Sequence, residues 1–277
     1  MTDTIADAPA QPDAADFARA WAEWHTAHEA ARTDRHGFLS VTGLHWLHPA
    51  PARFPGVPGE WSLEDEGPAV TLAPDEHLGL RGERLTGRQV FGPLSPGEST
   101  LFELGDVVLE LANRGGLVFL RPRDPNHPFL AAYTGTPAFP ADPAWALPGR
   151  LLPAEPGTSV VVGSAAEGLE HVYTVPGTVE FELDGRTHRL TAVNGGAPGT
   201  LQLLFADATS GVTTYAANRS LTIPGPDADG RLVVDFNRAV NLPCAYTDHA
   251  TCPLPPAGNR LDVAIEAGER TPQERAS

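Results

Sequence analysis

The residue types best suited to chemistry fall in one stretch, 207–260. Asp207 and Asp235 are candidate general bases, and Tyr215 a hydroxyl that donates a proton or orients a substrate. Arg219 and Arg238 carry planar forks that suit a carboxylate or a phosphate. Thr209, Asn237 and Asn241 add neutral hydrogen-bonding groups. Cys244 becomes a nucleophile if a neighbouring arginine lowers its pKa. Three readings follow. The first is a pocket for a small polar or anionic metabolite at a barrel mouth, gripped by Thr209, Tyr215, Arg219, Asn237, Arg238 and Asn241. The second is a hydrolase- or lyase-type enzyme using Asp207, Tyr215, Asp235 or Cys244 at the same place. The third is a structural plug without a ligand site, in which asparagine and arginine side chains satisfy irregular backbone and Arg219 pairs with Asp207 or Asp235.

Cys244, His249 and Cys252 are the weak candidates for a metal. Their spacing matches no zinc module, where paired cysteines stand about two to four residues apart, so no metal and no cofactor is expected. The two cysteines are free thiols, ligands or a redox pair. His25 and Glu29 share a helix face, which ordinarily means a solvated pair. The chain lacks Gly-x-Ser-x-Gly, Gly-x-Gly-x-x-Gly and a Walker A sequence, and His28-Glu29 has no second histidine at zincin spacing. No lysine occurs, which removes Schiff-base chemistry.

The 277 residues hold 35 acidic and 19 basic side chains, a formal charge of −16. That balance argues against nucleic acid and against an anionic membrane surface. Neither a secretory leader nor an apolar run of membrane-spanning length is present, so the expected location is the cytoplasm. The oligomeric state is open.

Residues 1–15 are acidic and rich in Ala and Pro, a composition expected to be unstructured. Helical spacing of Phe17, Ala20, Trp21, Trp24, Ala27 and Ala31 predicts a helix over 16–37. From residue 38 the pattern changes to short segments punctuated by 27 of the chain's 28 glycines and 26 of its 28 prolines, which predicts a mostly β protein. A first β subdomain is expected over 38–157, with hairpin 107–120 turning at Gly115-Gly116 and a Pro-rich ordered crossover over 122–157. A C-terminal meander or barrel is expected over 158–277. There Asp184-Gly185 signals a type I′ turn, strand 213–223 pairs with strand 231–236 so that Arg219 faces Asp235, and Leu261, Val263 and Ile265 alternate as a last strand. The architecture so predicted is two packed antiparallel β subdomains, sandwich- or barrel-like, with one N-terminal α-helix.

Several blocks resemble a known family. Phe38-Leu-Ser-Val-Thr-Gly-Leu-His-Trp-Leu47, Phe205-Ala-Asp-Ala-Thr-Ser-Gly-Val-Thr-Thr-Tyr215 and Val234-Asp-Phe-Asn-Arg-Ala-Val-Asn-Leu-Pro-Cys244 are similar to signatures of the bacterial domain-of-unknown-function family DUF 1684, as is Asn259 to Gly268. Asn218 and Leu242 depart from its pattern, which has Gly and Pro there. The resemblance implies a mostly β fold and brings no activity with it. It also implies a loose likeness of residues 38–125 to a forkhead-associated sandwich, for which Arg81, Arg84 and Arg88 form only a vague cluster.

Overall fold

The structure is a computed structural model, and it describes residues 14–276. The expected unstructured stretch falls outside the described residues except for its last two positions, which already belong to helix α1, Ala14–Arg32. The helix stops short of residue 37, and a 3-10 turn at Phe38–Ser40 leads into the first sheet.

Antiparallel β structure dominates, as the short Gly- and Pro-punctuated segments predict. A six-stranded sheet runs in the order His45–Trp46, Leu117–Arg123, Val107–Arg114, Ser99–Leu104, Leu78–Leu80, Glu83–Leu85. A four-stranded sheet of Ala52–Phe54, Val57–Glu64, Gly67–Thr71 and Arg88–Val90 supplies Trp61 and Val70 to the same core as Phe102, Leu109 and Leu111. A seven-stranded sheet follows the order Arg231–Asp235, Ala146–Pro153, Gly177–Leu183, Arg186–Asn194, Thr200–Phe205, Arg219–Pro224, Val240–Asn241. Its core centres on Phe236, fully buried and edge-on to Phe181 and Phe205. A side chain of that size stabilises the fold by roughly 1.5–3 kcal/mol through burial.

Both expected tight turns form. Asp184 and Gly185 have φ of 51° and 69° and join Leu183 to its partner Arg186. Both central residues of a type I′ turn need positive φ, which Gly adopts freely and Asp tolerates. Gly115-Gly116 closes the other hairpin in the same way.

The expected pairing of 213–223 with 231–236 does not form. Residues 213–218 are turns, and strand Arg219–Pro224 lies between Thr200–Phe205 and Val240–Asn241. Arg231–Asp235 instead pairs with Ala146–Pro153. Arg219 therefore faces Phe205 and Asn241, not Asp235. Strand Ala146–Pro153 comes from the Pro-rich crossover and carries Pro148 and Pro153. Residues 261–265 form no strand; Leu261 and Ile265 are buried in the core, Leu261 N donating to Ala206 O and the Ile265 backbone bonding the side chains of Asp207 and Arg219. Residues 173–183 divide between strand Glu170–Thr174, which pairs with Ser159–Gly163, and strand Gly177–Leu183 of the seven-stranded sheet.

The crossover and the C-terminus are zipped together. Phe139 N donates to Gly268 O at 2.9 Å and Arg270 N to Pro137 O at 2.8 Å. Gly268 has φ of 74°, and a Cβ there would meet the carbonyl oxygen of Ala239 at 2.5 Å. Only glycine fits such a position. This zipper fixes Glu269 directly beside the loop 133–137.

Candidate functional site

Helix α1 packs on this zipper with a face that is polar towards its C-terminal end. Phe17, Trp21, Trp24, His28 and Arg32 step along one side, and all are at least half-buried or nearly so, whereas Ala20, Ala27 and Ala31 are exposed. The apolar stripe expected from the alanines is therefore rotated: the aromatic and charged residues set the buried face. Trp21 Nε1 donates to Asn237 O at 2.8 Å, and the guanidinium of Arg238 lies over the Trp24 ring, 5.3 Å from its centroid. Trp21 stacks on His25 and Trp24 on His28.

Arg32 is the most deeply buried residue of the helix, with its side chain 2% exposed. Its guanidinium bridges two carboxylates. Nη1 donates to Glu29 Oε1 at 2.8 Å and Nη2 to Glu269 Oε1 at 2.6 Å. Nη2 also lies 2.7 Å from His28 Nε2, which must accept and so carries no proton there. The Thr136 hydroxyl accepts from Arg32 as well. Around this centre Tyr133 donates to Glu29 Oε2 at 2.6 Å, Thr136 Oγ1 lies 2.7 Å from both the Tyr133 and Tyr246 hydroxyls, and Asn241 N donates to Glu269 Oε2 at 2.6 Å.

The environment shifts these groups. Burial, then the Arg32 charge, lowers His28 to about 4. Burial and the bond to Glu29 push Tyr133 up to about 12. Burial raises Glu269 above the usual carboxylate range although Arg32 opposes it, and burial and Glu269 raise Tyr246. On Arg32 itself burial pulls downwards, and Glu269, Tyr246 and Tyr133 together more than offset it. Several perturbed groups in one place mark a functional-site candidate.

A groove of about 650 Å³ opens over this cluster, lined by His25, Glu29, Tyr133, Gly135, Thr136 and Gln273 among others. His25 Nε2 is buried without a hydrogen-bond partner. A His25 ring nitrogen and carboxylate oxygens of Glu29 and Glu269 lie within 4.8 Å of one another, the set of described residues whose ligand atoms converge as a metal would need. Arg32 already bridges both carboxylates, so an internal cation occupies the position between them. Glu29 is the accessible carboxylate, 18% exposed against 2% for Glu269.

The residues singled out from the sequence lie elsewhere. The Arg219–Asp207 ion pair, 2.8 Å apart, is fully buried. Arg219 also donates to the carbonyls of Ile265, Ala267 and Glu269. Asp207 accepts from Thr209 N, Thr209 Oγ1 and Ile265 N, and Thr209 from or to Thr214 at 2.8 Å. Arg219, Asp207 and Thr209 thus satisfy one another and the irregular chain 261–269, with no face left for a ligand or a substrate proton. Asp235 caps the 3-10 turn Phe236–Arg238, and Asn237 is tied to Asp235 and to both backbone groups of Asp142. Arg238 pairs with Asp235 at 3.3 Å. Asn241 is the one residue of that set beside the Arg32 cluster, through its bond to Glu269; its Oδ1 has no partner. Tyr215 donates to Cys244 O at 2.8 Å. Cys244 and Cys252 are buried free thiols packed together, and His249 does not join them in a convergent metal set.

Arg32, Tyr133, Thr136, Tyr246 and Glu269 escape sequence reasoning. One signal was present: His25, His28, Glu29 and Arg32 stand at helical spacing, a polar stripe continuing the line of Trp21 and Trp24.

A family model described as a protein of unknown function (DUF1684) matches residues 131–270, half of the chain. The chain belongs to the DUF1684 family. The matched DUF1684 segment contains Tyr133, Thr136, Asn241, Tyr246 and Glu269, whereas α1, with His25, Glu29 and Arg32, precedes it. No curated protein matches. Among solved structures, the solution NMR structure of an uncharacterized protein from Haloarcula marismortui is 31% identical, covers 52% of this chain and 80% of its own, and superposes with a TM-score of 0.44. Among the described residues, no helix is long and apolar enough to cross a membrane.

Proposed function

We propose that this DUF1684 protein binds a small polar metabolite in the groove beside α1, through a hydrogen-bond-donating cationic group such as an amine or a guanidine. The observation that carries this reading is His25 Nε2, buried and unpartnered beside the accessible carboxylate of Glu29. A buried acceptor left without a donor costs about 1–3 kcal/mol, and a ligand N–H recovers it. The charge count agrees: two carboxyl groups face one guanidinium, with His28 held neutral. The groove volume falls within the roughly 300–1,000 Å³ usual for small-molecule sites. An anionic ligand would need Arg219 or Arg238, and the first is sealed while the second is occupied by Asp235 and Trp24.

The test is thermal unfolding in the presence of n-butylamine, putrescine and agmatine, against acetate and phosphate. A ligand bound to the folded form alone raises the melting temperature with concentration. At least one of the amines raises it and the anions do not. A rise with acetate or phosphate and none with the amines overturns the reading.

A further inference from the structure

Cys244 and Cys252 stand apart from that groove and play no part in the proposed binding. Cys244 lies in the 3-10 turn Pro243–Ala245, and Cys252 Sγ accepts from Cys244 N at 3.2 Å. The two thiols pack together in one buried cluster with Leu204, Leu242 and Ala250. Each is held by separate elements. Tyr215 and Arg275 both bond the Cys244 carbonyl oxygen, while Ser164 and Ala165, at the end of strand Ser159–Gly163, bond that of Cys252. With Cys252 Sγ against the Cys244 amide and both side chains in one buried cluster, two thiols on anchored backbone are placed to be bridged.

We propose that Cys244 and Cys252 form an oxidation site, in which hydrogen peroxide converts the paired thiols to an intramolecular disulfide. The Cys244 thiol gives up its proton, and its sulfur attacks one peroxide oxygen. The O–O bond breaks, and the departing hydroxide takes that proton as water, leaving a sulfenic acid on Cys244. The Cys252 sulfur then attacks the Cys244 sulfur. The S–O bond breaks, the S–S bond forms, and the hydroxide leaves with the Cys252 proton as a second water. Two thiols lose two electrons, and one peroxide becomes two waters.

The order of events follows from the environment. Arg275, bonded to the Cys244 carbonyl oxygen, sets a positive charge beside that thiol and favours its thiolate, whereas burial disfavours the Cys252 thiolate. Cys244 is therefore the attacking sulfur and Cys252 the resolving one. Residual exposures of 3% and 6% restrict the oxidant to one of about the size of water. The bond would close the chain 245–251 into a loop that includes Tyr246, the residue whose hydroxyl meets Thr136.

The experiment is intact mass of the native, reduced protein after hydrogen peroxide. Digestion on the N-terminal side of Asp248, which separates the two cysteines, then locates the bond. The expected result is a loss of about 2 Da that dithiothreitol reverses, with the peptides of Cys244 and Cys252 joined. Cys244→Ser loses this product, and glutathione disulfide, being too large, does not replace peroxide. An unchanged mass, or gains of oxygen on either cysteine without a joined peptide, overturns the proposal. Because the wild-type peptide map decides by itself, the outcome stands even if the serine variant does not fold.

Discussion

Arg32 and Glu269, 237 positions apart in the chain, meet at 2.6 Å with both side chains 2% exposed. That ion pair joins the only long described helix to the C-terminal zipper and lies behind Glu29, Tyr133 and Thr136, which line the groove. Burying two charges is costly, and here the cost is offset by several partners: Glu29, His28, Tyr133 and Thr136 on the terminal nitrogens of the arginine, whose Nε has none, and Asn241 N on the carboxylate.

Removing one member leaves the other buried and unpaired. Arg32→Met is expected to destabilise the protein by roughly 3–5 kcal/mol in urea unfolding. The double variant Arg32→Met/Glu269→Gln is expected to lose clearly less than the sum of the two single losses. Additive losses would show that the two residues do not act as a pair.

The same reasoning applies to Arg219, with a consequence opposite to a ligand role. Arg219→Met should cost at least about 3 kcal/mol or prevent folding, since Asp207 would be left charged in the core. A well-folded variant that merely loses a ligand response would contradict this.

Acid should weaken the fold in a definite window. His28 is held at about 4 in the folded protein against an ordinary 6.5, so its contribution is present above about 6.5 and is lost as pH falls towards 4. Glu269 has the opposite sign: its raised pKa favours the folded form below the ordinary 4.5, a contribution lost as pH rises through its folded-state value. In urea midpoints measured from pH 7 to 4, His28→Gln should flatten the decline relative to the wild type. An unchanged slope would show that His28 does not titrate as described.

At the Asp184-Gly185 turn, Gly185→Val should destabilise by about 1–2 kcal/mol, because a β-branched residue is forced to φ near 69°. Chemical denaturation gives the value, and no loss would mean that the turn relaxes to another type.

How much was legible depended on whether the signal was local. The tight turns at 115–116 and 184–185 were readable because their chemistry lies within two residues. The mostly β class followed from the spacing of Gly and Pro, and the N-terminal helix from its aromatic steps. The pairing of Arg219–Pro224 was not readable, since one residue of slip or one intervening strand changes every neighbour. The concentration of Asp, Arg, Thr and Asn in 207–241 was read as a site, and most of it satisfies buried backbone instead. The Arg32 cluster was hidden because its members come from positions 25–32, 133–136, 241–246 and 269, and no sequence window contains them.

The central claim is that Glu29 and His25 hold a ligand's cationic group, and calorimetric titration of agmatine into the wild type and Glu29→Gln tests it most directly. Glutamine keeps the shape and an acceptor for Tyr133 but removes the charge. The wild type should bind saturably, and Glu29→Gln should bind about tenfold or more weakly, the loss of one charge-assisted hydrogen bond. Equal affinity in the two proteins, or no binding to either, would contradict the account.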